Sequence, residues 1–529
     1  MNILIAEPMA AAGIELFKSQ SGWNVIVSNP KEYAKHLADV DALVVRSAVQ
    51  VTSAVLEQAP RLRVIGRAGV GVDNVDLRAA TAAGVLVMNT PGGNAVSVAE
   101  HTLALMLSMA RAIPQASTST KTGKWEKKKF LGSELRGKTL GIVGLGSIGR
   151  EVLKRARAFQ MRIIAHDPYV MSQLAKDIGV ELVSIDELFA QSDYITLHVS
   201  LTPETNGFLN DNAFARMKKG VRIVNCARGE LIDDAALLRA IQSGQVAAAA
   251  LDVFASEPTN AANPLFTIES LIATPHIGGS TEEAQEIVGI RIAEQMVEYL
   301  QNGVAINPVN MPAISPDQYK ELSPYIEVAQ KLGNFAAYVA QANPKSIRMT
   351  YYGRIAEGNT TLLRNAGLAG VLNRSAANSA NVVNSMQIAA ERGWNISENL
   401  VKRSGHSDTI QLELETDKSV TTVEGSVLLG KARLLQLDGI YCEATLQGHL
   451  ICMKNDDVPG VIGHVGTVLG RHNINIANFS LGRSEGPLQP GQHQTAIAVV
   501  STDVLVPENV LAELKGNPAV KVARSIELA

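Results

Sequence analysis

Residues 139–167 read TLGIVGLGSIGREVLKRARAFQMRIIAHD, and the fold of the chain can be worked out from this stretch. It opens with Thr139–Val143, a mostly apolar run with the length of one buried strand. Glycines in the spacing G-x-G-x-x-G come next, then a helical pattern, then a second strand, Arg162–His166, which ends at Asp167. Together these features predict a βαβ unit of a dinucleotide-binding Rossmann domain.

The three glycines have separate roles in this hypothesis. Gly144 makes the tight turn, Gly146 lets the backbone approach a pyrophosphate, and Gly149 packs the helix against the strand. The start of the helix offers unpaired N–H groups to the same anion. We therefore expect the cofactor to contact this turn at Gly144, Gly146, Ser147, Ile148 and Gly149.

Asp167 indicates which dinucleotide is bound. It ends the second strand, where its carboxylate can accept hydrogen bonds from an adenosine ribose. The same negative charge repels a 2′-phosphate, so we expect NAD rather than NADP. A glycine-rich turn with a purely structural role is the alternative.

The composition excludes several classes of protein. The chain has 529 residues, 46% of them apolar, which predicts roughly three to four domains of about 150 residues. The net charge of −3 gives no general attraction to nucleic acid or membranes. Three cysteines, Cys226, Cys442 and Cys452, fit a reducing compartment. We find neither a signal-peptide pattern nor an apolar run of about 18 residues, and so we expect a cytoplasmic protein.

The N-terminal part of the chain alternates apolar runs with helical patterns. Strands are predicted at residues 2–6, 23–28, 42–45, 62–66 and 85–89. Such alternation is typical of a parallel sheet covered by helices, in which loops at the carboxyl ends of the strands line a ligand crevice. Arg46 and Arg67 follow two of these strands and are candidates for ligand contact. On position alone, solvated surface arginines fit equally well.

Three polar residues follow three successive predicted strands beyond the glycine turn: Arg228, Glu257 and His276. In a doubly wound sheet these strand ends lie side by side over the cofactor crevice. Oxidation of an alcohol needs a base for the hydroxyl proton while hydride leaves the same carbon, and histidine suits this at neutral pH. A carboxylate can orient the histidine, and an arginine can grip a substrate carboxylate.

Each of these residues also has a simpler explanation. The histidine could be a capped loop residue, the glutamate a surface charge, and the arginine the partner of an aspartate. Their joint occurrence at three strand ends of one dinucleotide-binding domain favours catalysis.

The remainder of the chain contains two further units. A Pro-rich stretch, residues 308–324, is predicted to be a linker. Residues 325–447 combine helical runs with alternating strands, which predicts an α+β domain. From residue 450 the pattern is strand, helix, strand, strand, helix, strand, the order of the ferredoxin-like βαββαβ unit.

Several longer motifs resemble those of the D-isomer-specific 2-hydroxyacid dehydrogenase family. They are GRAGVGVDNVD (66–76), GLGSIG (144–149), NCARG (225–229), ALDVFASEP (250–258) and TPHIGGST (274–281). The C-terminal residues resemble an ACT domain, a small-molecule sensor. This likeness implies an α/β fold with two doubly wound parallel-sheet lobes, followed by an α+β intervening domain and a ferredoxin-like ACT domain. The implied bounds are 1–97 with 282–308 (substrate lobe), 98–281 (NAD lobe), 309–447 (intervening domain) and 448–529 (ACT domain).

The resemblance also implies roles for individual residues. The family's catalytic residues correspond to Arg228, Glu257 and His276. Further contacts with NAD are implied for Cys226, Ala227, Arg228, Asp252, His276, Gly278 and Gly279. Substrate contacts are implied for Arg46, Arg67, Asn94 and Lys127, with Lys127 reaching in from the neighbouring subunit of a homodimer or homotetramer. Without the resemblance, the lysine-rich run 121–129 would be interpreted as a solvated charged face. No metal is implied.

The resemblance is to the long members of the family, which oxidise D-3-phosphoglycerate with NAD to 3-phosphohydroxypyruvate and so open the phosphorylated route to L-serine. Three alternatives share the catalytic core or the fold: a hydroxypyruvate or glyoxylate reductase, a D-lactate-type enzyme, and a corepressor-like NAD sensor. For the ACT domain we expect L-serine to bind near Asn455, Asp457 and Asn475, although Asp457 could merely cap a helix. Val458 stands where many ACT loops have arginine, which puts ligand affinity in question.

Overall fold

The computed structural model describes residues 1–375, 380–402, 407–486 and 493–528. These residues form four β-sheets with five, seven, six and four strands. The first two sheets are parallel throughout, the third is mixed, and the fourth is antiparallel. The expected class, two parallel α/β lobes followed by an α+β domain and a ferredoxin-like unit, is confirmed.

The N-terminal lobe is built on the five-stranded sheet, with strand order β2-β1-β3-β4-β5. Its strands are β1 (Asn2–Ile5), β2 (Asn24–Val27), β3 (Ala42–Val45), β4 (Val64–Arg67) and β5 (Leu86–Met88). Its helices are α1 (Ala11–Lys18), α2 (Ser53–Glu57), α3 (Leu77–Ala82) and the later α11 (Glu282–Asn302). The sheet packs tightly on α11, because a Cβ on Gly66 would lie 2.1 Å from the sulfur of Met296.

The middle lobe is built on the seven-stranded sheet, with strand order β12-β11-β10-β9-β6-β7-β8. Its strands are β6 (Thr139–Val143), β7 (Arg162–His166), β8 (Glu181–Leu182), β9 (Tyr194–Leu197), β10 (Val221–Asn225), β11 (Val246–Leu251) and β12 (Leu271–Ala273). Its helices are α4 (Ala95–Arg111), α5 (Ile113–Lys121), α6 (Ser147–Ala158), α7 (Ser172–Asp177), α8 (Ile185–Gln191), α9 (Asp211–Arg216) and α10 (Asp234–Gln242). The strand order reverses between β6 and β9, which is where such sheets bind their ligands.

The two lobes are connected by long helices. The chain passes from the N-terminal lobe into α4, which packs on α6 and β11 of the middle lobe, and returns through α11. Helix α4 ends at Ala112, whose φ of 48° turns the chain into α5. Among the described residues no single helix is long and apolar enough to cross a membrane. Helices α4 and α5 reach that length and composition only when they are taken together, and the chain bends by 62° between them.

The intervening domain combines a six-stranded sheet, in the order β14-β13-β15-β16-β17-β18, with a pair of long helices. Its strands are β13 (Pro344–Tyr352), β14 (Asn395–Val401), β15 (Thr409–Thr416), β16 (Val420–Leu428), β17 (Lys431–Leu437) and β18 (Ile440–Thr445). Its helices are α12 (Pro316–Ala340), α13 (Thr361–Ser375) and α14 (Ser385–Glu391). Glycines let α12 and α13 approach closely, since a Cβ on Gly333 would lie 2.1 Å from the carbonyl oxygen of Gly367.

The linker predicted at residues 308–324 is wrong in its second half. Helix α12 already begins at Pro316, because Ser315 caps it in a capping box with Gln318. Proline is favoured at the first position of a helix, where its missing N–H has no intrahelical partner in any case. Pro324 lies inside the helix.

The C-terminal unit has the predicted βαββαβ order. Its elements are β19 (Gly448–Asp456), α15 (Val461–Arg471), β20 (Ile476–Arg483), β21 (Thr495–Thr502), α16 (Glu508–Leu514) and β22 (Val520–Leu528). One face of its sheet packs on α15 and α16, and the other contributes Ile497, Val499 and Ile526 to the core of the intervening domain. The two C-terminal domains therefore share buried apolar contacts.

Candidate active site

The expected acid–base pair is formed at two adjacent strand ends. Glu257 follows β11 and His276 follows β12, and Nδ1 of the histidine lies 2.6 Å from Oε2 of the glutamate. The other carboxylate oxygen of Glu257 accepts a hydrogen bond of 2.9 Å from the backbone N–H of Phe254. Because both oxygens are fixed, the carboxylate holds the imidazole in one orientation, and Nε2 is the ring atom left for a substrate.

Glu257 and His276 also shift each other's pKa. The hydrogen bond that His276 donates to Glu257 raises the pKa of His276 above its ordinary 6.5, against the opposing effect of burial. Burial alone would raise the pKa of Glu257, but the hydrogen bonds from His276 and Phe254 outweigh it and lower that pKa. Charged imidazole and carboxylate therefore stabilise each other, as a base that takes up a proton during the reaction requires.

Asp252 anchors the loop that bears His276. Its side chain is 1% exposed, and its carboxylate accepts hydrogen bonds from the backbone N–H groups of Ile277 (2.9 Å) and Gly278 (2.8 Å). The hydroxyl of Thr274 donates a third bond of 2.6 Å, and Nε2 of His101 lies 3.2 Å away. Burial raises the pKa of Asp252, yet these donors together lower it. The direct contact of Asp252 with NAD stays a prediction.

Sequence reasoning missed His101 and Thr274 in this network. His101 lies on α4, seven positions after Asn94, the N-cap residue of this helix, so both residues are on the same side of it. Because α4 also carries Ser97, Glu100 and Thr102, this spacing alone does not distinguish His101 in the sequence.

Arg228 is held by an aspartate of the other lobe. Its Nε and Nη2 lie 2.9 Å and 2.8 Å from Oδ2 of Asp73, which follows β4. Nη1 donates a bond of 2.6 Å to the carbonyl of Ala227. The structure thus contains the ion pair with an aspartate that was the simpler explanation of this arginine, and its contact with a substrate carboxylate stays a prediction.

A cavity of about 620 Å³ lies between the two lobes. Its lining includes Glu257 and His276 on one side and Arg46 and Arg67 on the other. The structure therefore brings the acid–base pair and the two candidate arginines together.

Both arginines of this cavity are positioned by their surroundings. Burial, and after it the charge of Arg228, lowers the pKa of Arg67 to about 10, so it stays positive at neutral pH. Its buried Nε has no hydrogen-bond partner among the described residues. Glu7 accepts hydrogen bonds from the backbone of Arg46 and Val49 and so shapes the loop after β3. This face of the cavity suits an anion.

Asn94 also lines this cavity, beside the loop of His276. Its Oδ1 is buried and has no hydrogen-bond partner within the described ranges, which leaves an acceptor free for a donor on a ligand. Gly279 is packed on the same side chain, since a Cβ there would lie 2.8 Å from Nδ2 of Asn94. Gly278 is similarly close to Asp252, at 3.1 Å.

The glycine turn between β6 and α6 has the geometry predicted for it. Gly144 has a φ of 96°, and a Cβ on it would lie 2.6 Å from the carbonyl oxygen of His198. A Cβ on Gly149 would lie 2.1 Å from the carbonyl oxygen of Gly144. A Cβ on Gly146 would meet nothing within 4 Å, so the backbone there is open to a ligand. Helix α6 begins next to it, at Ser147 and Ile148. These residues fit a dinucleotide pyrophosphate.

Asp167 lies beside this turn at the end of β7. Its two carboxylate oxygens accept hydrogen bonds from the backbone N–H groups of Leu145 (2.8 Å) and Tyr169 (2.9 Å). A carboxylate can accept about four hydrogen bonds, so it retains capacity for ribose hydroxyls. The negative charge is thus fixed next to the place where an adenosine ribose would bind.

Cys226 and Ala227 connect β10 to Arg228. Burial raises the pKa of the Cys226 thiol to about 12, so this side chain is neutral and takes part in packing. The backbone N–H of Ala227 donates to Oδ1 of Asn225 at 3.0 Å, which fixes the start of the loop. Their contacts with NAD stay predictions.

Lys127 lies apart from this cavity. It is exposed in the segment between α5 and β6, which also contains Trp125 and Leu131, residues that are 85% and 94% exposed. Lys127 is not part of the lining of the cavity in its own chain. Its contact with the substrate bound to a second subunit stays a prediction.

The ACT unit contains a further cavity, of about 370 Å³, at the start of α15, and its mostly apolar lining includes three polar or charged residues. It is lined by Asn455 and Asp457, and also by Arg483, which sequence reasoning did not consider. Oδ1 of Asn455 is buried without a partner in the described parts of the chain, and Asp457 lies 3.4 Å from Arg483. Asn475 lies elsewhere on the surface and donates to Asp503 at 3.1 Å. One chain therefore assembles two of the three predicted effector residues.

Family profiles match three parts of the chain. Residues 103–278 match the NAD binding domain of D-isomer specific 2-hydroxyacid dehydrogenase. Residues 321–438 match the D-3-phosphoglycerate dehydrogenase intervening domain, and residues 450–519 match the ACT domain.

Similar proteins match over much or all of the chain. The D-3-phosphoglycerate dehydrogenases of Methanocaldococcus jannaschii and Archaeoglobus fulgidus are 42% and 41% identical, and each match covers 100% of both chains. Among solved structures, the NAD-dependent formate dehydrogenase of Staphylococcus aureus in complex with NAD superposes with a TM-score of 0.52 at 30% identity. That match covers 59% of this chain and 100% of the other.

Proposed function

The chain belongs to the D-isomer-specific 2-hydroxyacid dehydrogenase family and, within it, to the D-3-phosphoglycerate dehydrogenases, and from this premise we propose that it oxidises D-3-phosphoglycerate to 3-phosphohydroxypyruvate with NAD. This reaction is the first step of the phosphorylated route of L-serine biosynthesis. The observation that supports it most directly is the cavity that places His276 opposite Arg46 and Arg67. A substrate with a hydroxyl near one end and a phosphate at the other matches these two sides.

The domains have separate tasks in this proposal. The N-terminal lobe, residues 1–97 with 282–308, holds the phosphate end of the substrate. The middle lobe, residues 98–281, holds NAD at the glycine turn and Asp167, and the catalytic residues follow its strands. The intervening domain and the ACT domain, 309–447 and 448–529, have regulatory tasks.

His276 acts as the general base. Bound NAD supplies the hydride acceptor for the C2 hydrogen of the substrate. Nε2 of His276 takes the proton of the C2 hydroxyl, because Nδ1 is occupied by Glu257. The charge that develops on the imidazole is stabilised by the carboxylate 2.6 Å away.

Three further side chains orient the substrate. We propose that Arg228 binds its carboxylate, which would hold C2 within reach of the hydride acceptor. Arg46 and Arg67 bind the phosphate, and Oδ1 of Asn94 is free to accept a hydrogen bond from the substrate. Burial lowers the pKa of Arg67 to about 10, so its guanidinium stays positive at neutral pH and can bind the phosphate.

Charge reversal at Arg67 tests this assignment of substrate. NADH formation is followed by its absorbance with D-3-phosphoglycerate and with a panel of unphosphorylated 2-hydroxy acids. Arg67→Glu should raise KM for the phosphorylated substrate by about 10- to 100-fold, because it loses a charge-assisted contact of about 1.5–3 kcal/mol and adds repulsion. Arg61→Glu is the matched control, since Arg61 pairs with Asp41 at 3.2 Å outside the cavity. Equal losses for both kinds of substrate would contradict a phosphate site at Arg67.

The oligomer and the compartment are part of the same proposal. We propose a homodimer or homotetramer in which the middle lobes meet and Lys127 reaches the cavity of the neighbouring subunit. The strong exposure of Trp125 and Leu131 beside Lys127 supports this, because large apolar side chains of a contact surface are buried by the partner. A cytoplasmic location is supported by three free, buried cysteines.

L-serine is the effector we propose for the ACT domain. Asp457 would accept from its ammonium group, while the first N–H groups of α15 and Arg483 would bind its carboxylate. The free Oδ1 of Asn455 would accept a further hydrogen bond. Asn475 would complete the site from a neighbouring subunit.

A further inference from the structure

The ion pair between Arg228 and Asp73 connects the two lobes. Asp73 belongs to the loop after β4 and Arg228 to the loop after β10, 155 residues further along the chain. Two nitrogens of the guanidinium bond to a single oxygen of the aspartate, at 2.9 Å and 2.8 Å. The interaction therefore uses the edge of the guanidinium with which a substrate carboxylate would form its bonds.

The loop before Asp73 is shaped around this pair. A Cβ on Gly71 would lie 1.9 Å from Nη2 of Arg228 and 2.8 Å from Oδ2 of Asp73. The backbone at Gly71 thus lies directly against the guanidinium, and a larger residue would displace it. Arg228 meanwhile lies outside the lining of the cavity that contains His276 and Glu257. The arginine is directed to the aspartate.

The pair is accessible enough to be exchanged. The Asp73 side chain is 64% exposed and that of Arg228 is 28% exposed. Exposed ion pairs contribute little because water and salt compete for both partners. A substrate carboxylate brought into the cavity by its phosphate can therefore replace Asp73 at small net cost.

Resting on the carboxylate-binding role of Arg228 in the proposed function, we propose that Asp73 is an exchangeable positioning residue, which holds Arg228 and the N-terminal lobe together until the substrate carboxylate takes its place. Asp73 then pairs again with the arginine when product leaves. Binding of the substrate carboxylate thereby breaks the Arg228–Asp73 ion pair, which is one of the contacts between the two lobes.

Asp73→Asn tests the exchange in the full-length enzyme. The substitution removes the competing charge and should lower KM for D-3-phosphoglycerate by about twofold to fivefold. Asp76→Asn is the control, because Asp76 lies in the same loop but caps α3 through the N–H of Ala79 at 2.9 Å. Asparagine preserves that cap, so the control should keep the parental KM and kcat.

Inorganic phosphate serves as a second probe. It competes for Arg46 and Arg67 without a carboxylate, so its inhibition constant should change less than KM in Asp73→Asn. In an Arg228→Ala background, Asp73→Asn should no longer lower KM, since the two residues act through one interaction.

The outcomes separate the exchange from the proposed function. A KM that is unchanged or raised in Asp73→Asn, together with a raised KM in Arg228→Ala, overturns the exchange and leaves the role of Arg228 in place. Parental KM and kcat in Arg228→Ala overturn the carboxylate-binding role and the exchange with it.

Discussion

The acid–base loops of the catalytic site and the ACT cavity differ in how completely their polar groups are paired. In the acid–base loops both oxygens of Glu257 and both oxygens of Asp252 have partners between 2.6 Å and 2.9 Å, whereas elsewhere in the catalytic cavity Nε of Arg67 and Oδ1 of Asn94 have none among the described residues. In the ACT cavity, Oδ1 of Asn455 has no partner in the described chain, and the closest oxygen of Asp457 is 3.4 Å from Arg483. A catalyst needs its charges fixed before the reaction begins, whereas a sensor needs contacts that form only when its ligand is present.

The largest effect on turnover is expected from removing His276, which Glu257 holds in place. His276→Ala removes the base and should lower kcat by about 10²–10⁴-fold, while calorimetry shows NAD binding retained. His464→Ala is the control, because this histidine contacts a backbone carbonyl in the ACT unit at 3.2 Å and should not affect turnover. Turnover of His276→Ala within threefold of the parent would remove His276 from the mechanism.

Substitutions at Asp167 test a second fixed charge, which lies beside the glycine turn where we expect the cofactor to bind. Asp167→Ala should weaken NAD binding by about 10- to 100-fold, because a charge-assisted hydrogen bond of about 1.5–3 kcal/mol is lost. It should also improve the relative use of NADP. Asp167→Asn keeps an acceptor for the N–H of Leu145 and removes the charge, so it should improve NADP with a smaller loss of NAD. Equal use of both cofactors by the parent would show that Asp167 does not discriminate.

The pair Glu257–His276 should be visible in the pH dependence of the rate. Glu257→Gln removes the charge that raises the pKa of His276, so that pKa falls. The base is active when neutral, and therefore the acid limb of the kcat/KM profile should move to lower pH. The plateau should fall by about tenfold, since a charge-assisted hydrogen bond of about 1.5 kcal/mol is lost. An unmoved acid limb would mean that another group controls this titration.

The same pair affects stability with a definite sign. The raised pKa of His276 contributes stability that is present below 6.5 and lost as pH rises through the raised value. The lowered pKa of Glu257 contributes stability that is present above 4.5 and lost as pH falls. The difference in melting temperature between the parent and Glu257→Gln should thus be largest between these limits, and small because both side chains are partly exposed.

Much of the catalytic site could be predicted because its signals are local. The glycine turn is encoded in six consecutive residues, 144–149, and each glycine has the close approach or open space expected of it. Glu257 and His276 were brought together by a rule of topology, since neighbouring parallel strands end at one edge of the sheet. The resemblance to a family added the role of Asn94, which position alone did not indicate.

The features that were missed depend on contacts between distant parts of the chain. An aspartate partner for Arg228 was one of the alternatives, but its identity as Asp73 follows from how the two lobes face each other, which no local pattern encodes. His101 acts through Asp252, and so its role is visible only once α4 is packed on the sheet. The start of α12 is different, because Ser315, Pro316 and Gln318 are a recognisable capping signal that the proline content obscured.

The smallest effect on uninhibited turnover is expected from substitutions in the incompletely paired ACT cavity. Calorimetry should show L-serine binding to the parent and not to the double variant Asp457→Ala, Asn475→Ala. Inhibition by serine should vanish in that variant while uninhibited turnover stays parental, because coupling of about 1–3 kcal/mol acts only when serine is bound. Asp456→Ala is the matched control, since this neighbouring carboxylate pairs with Lys521 at 2.8 Å outside the cavity and should leave inhibition intact. If the parent binds no serine at millimolar concentration, the free Oδ1 of Asn455 serves another ligand or none, and Asp457, which does not cap α15, serves only in its ion pair with Arg483.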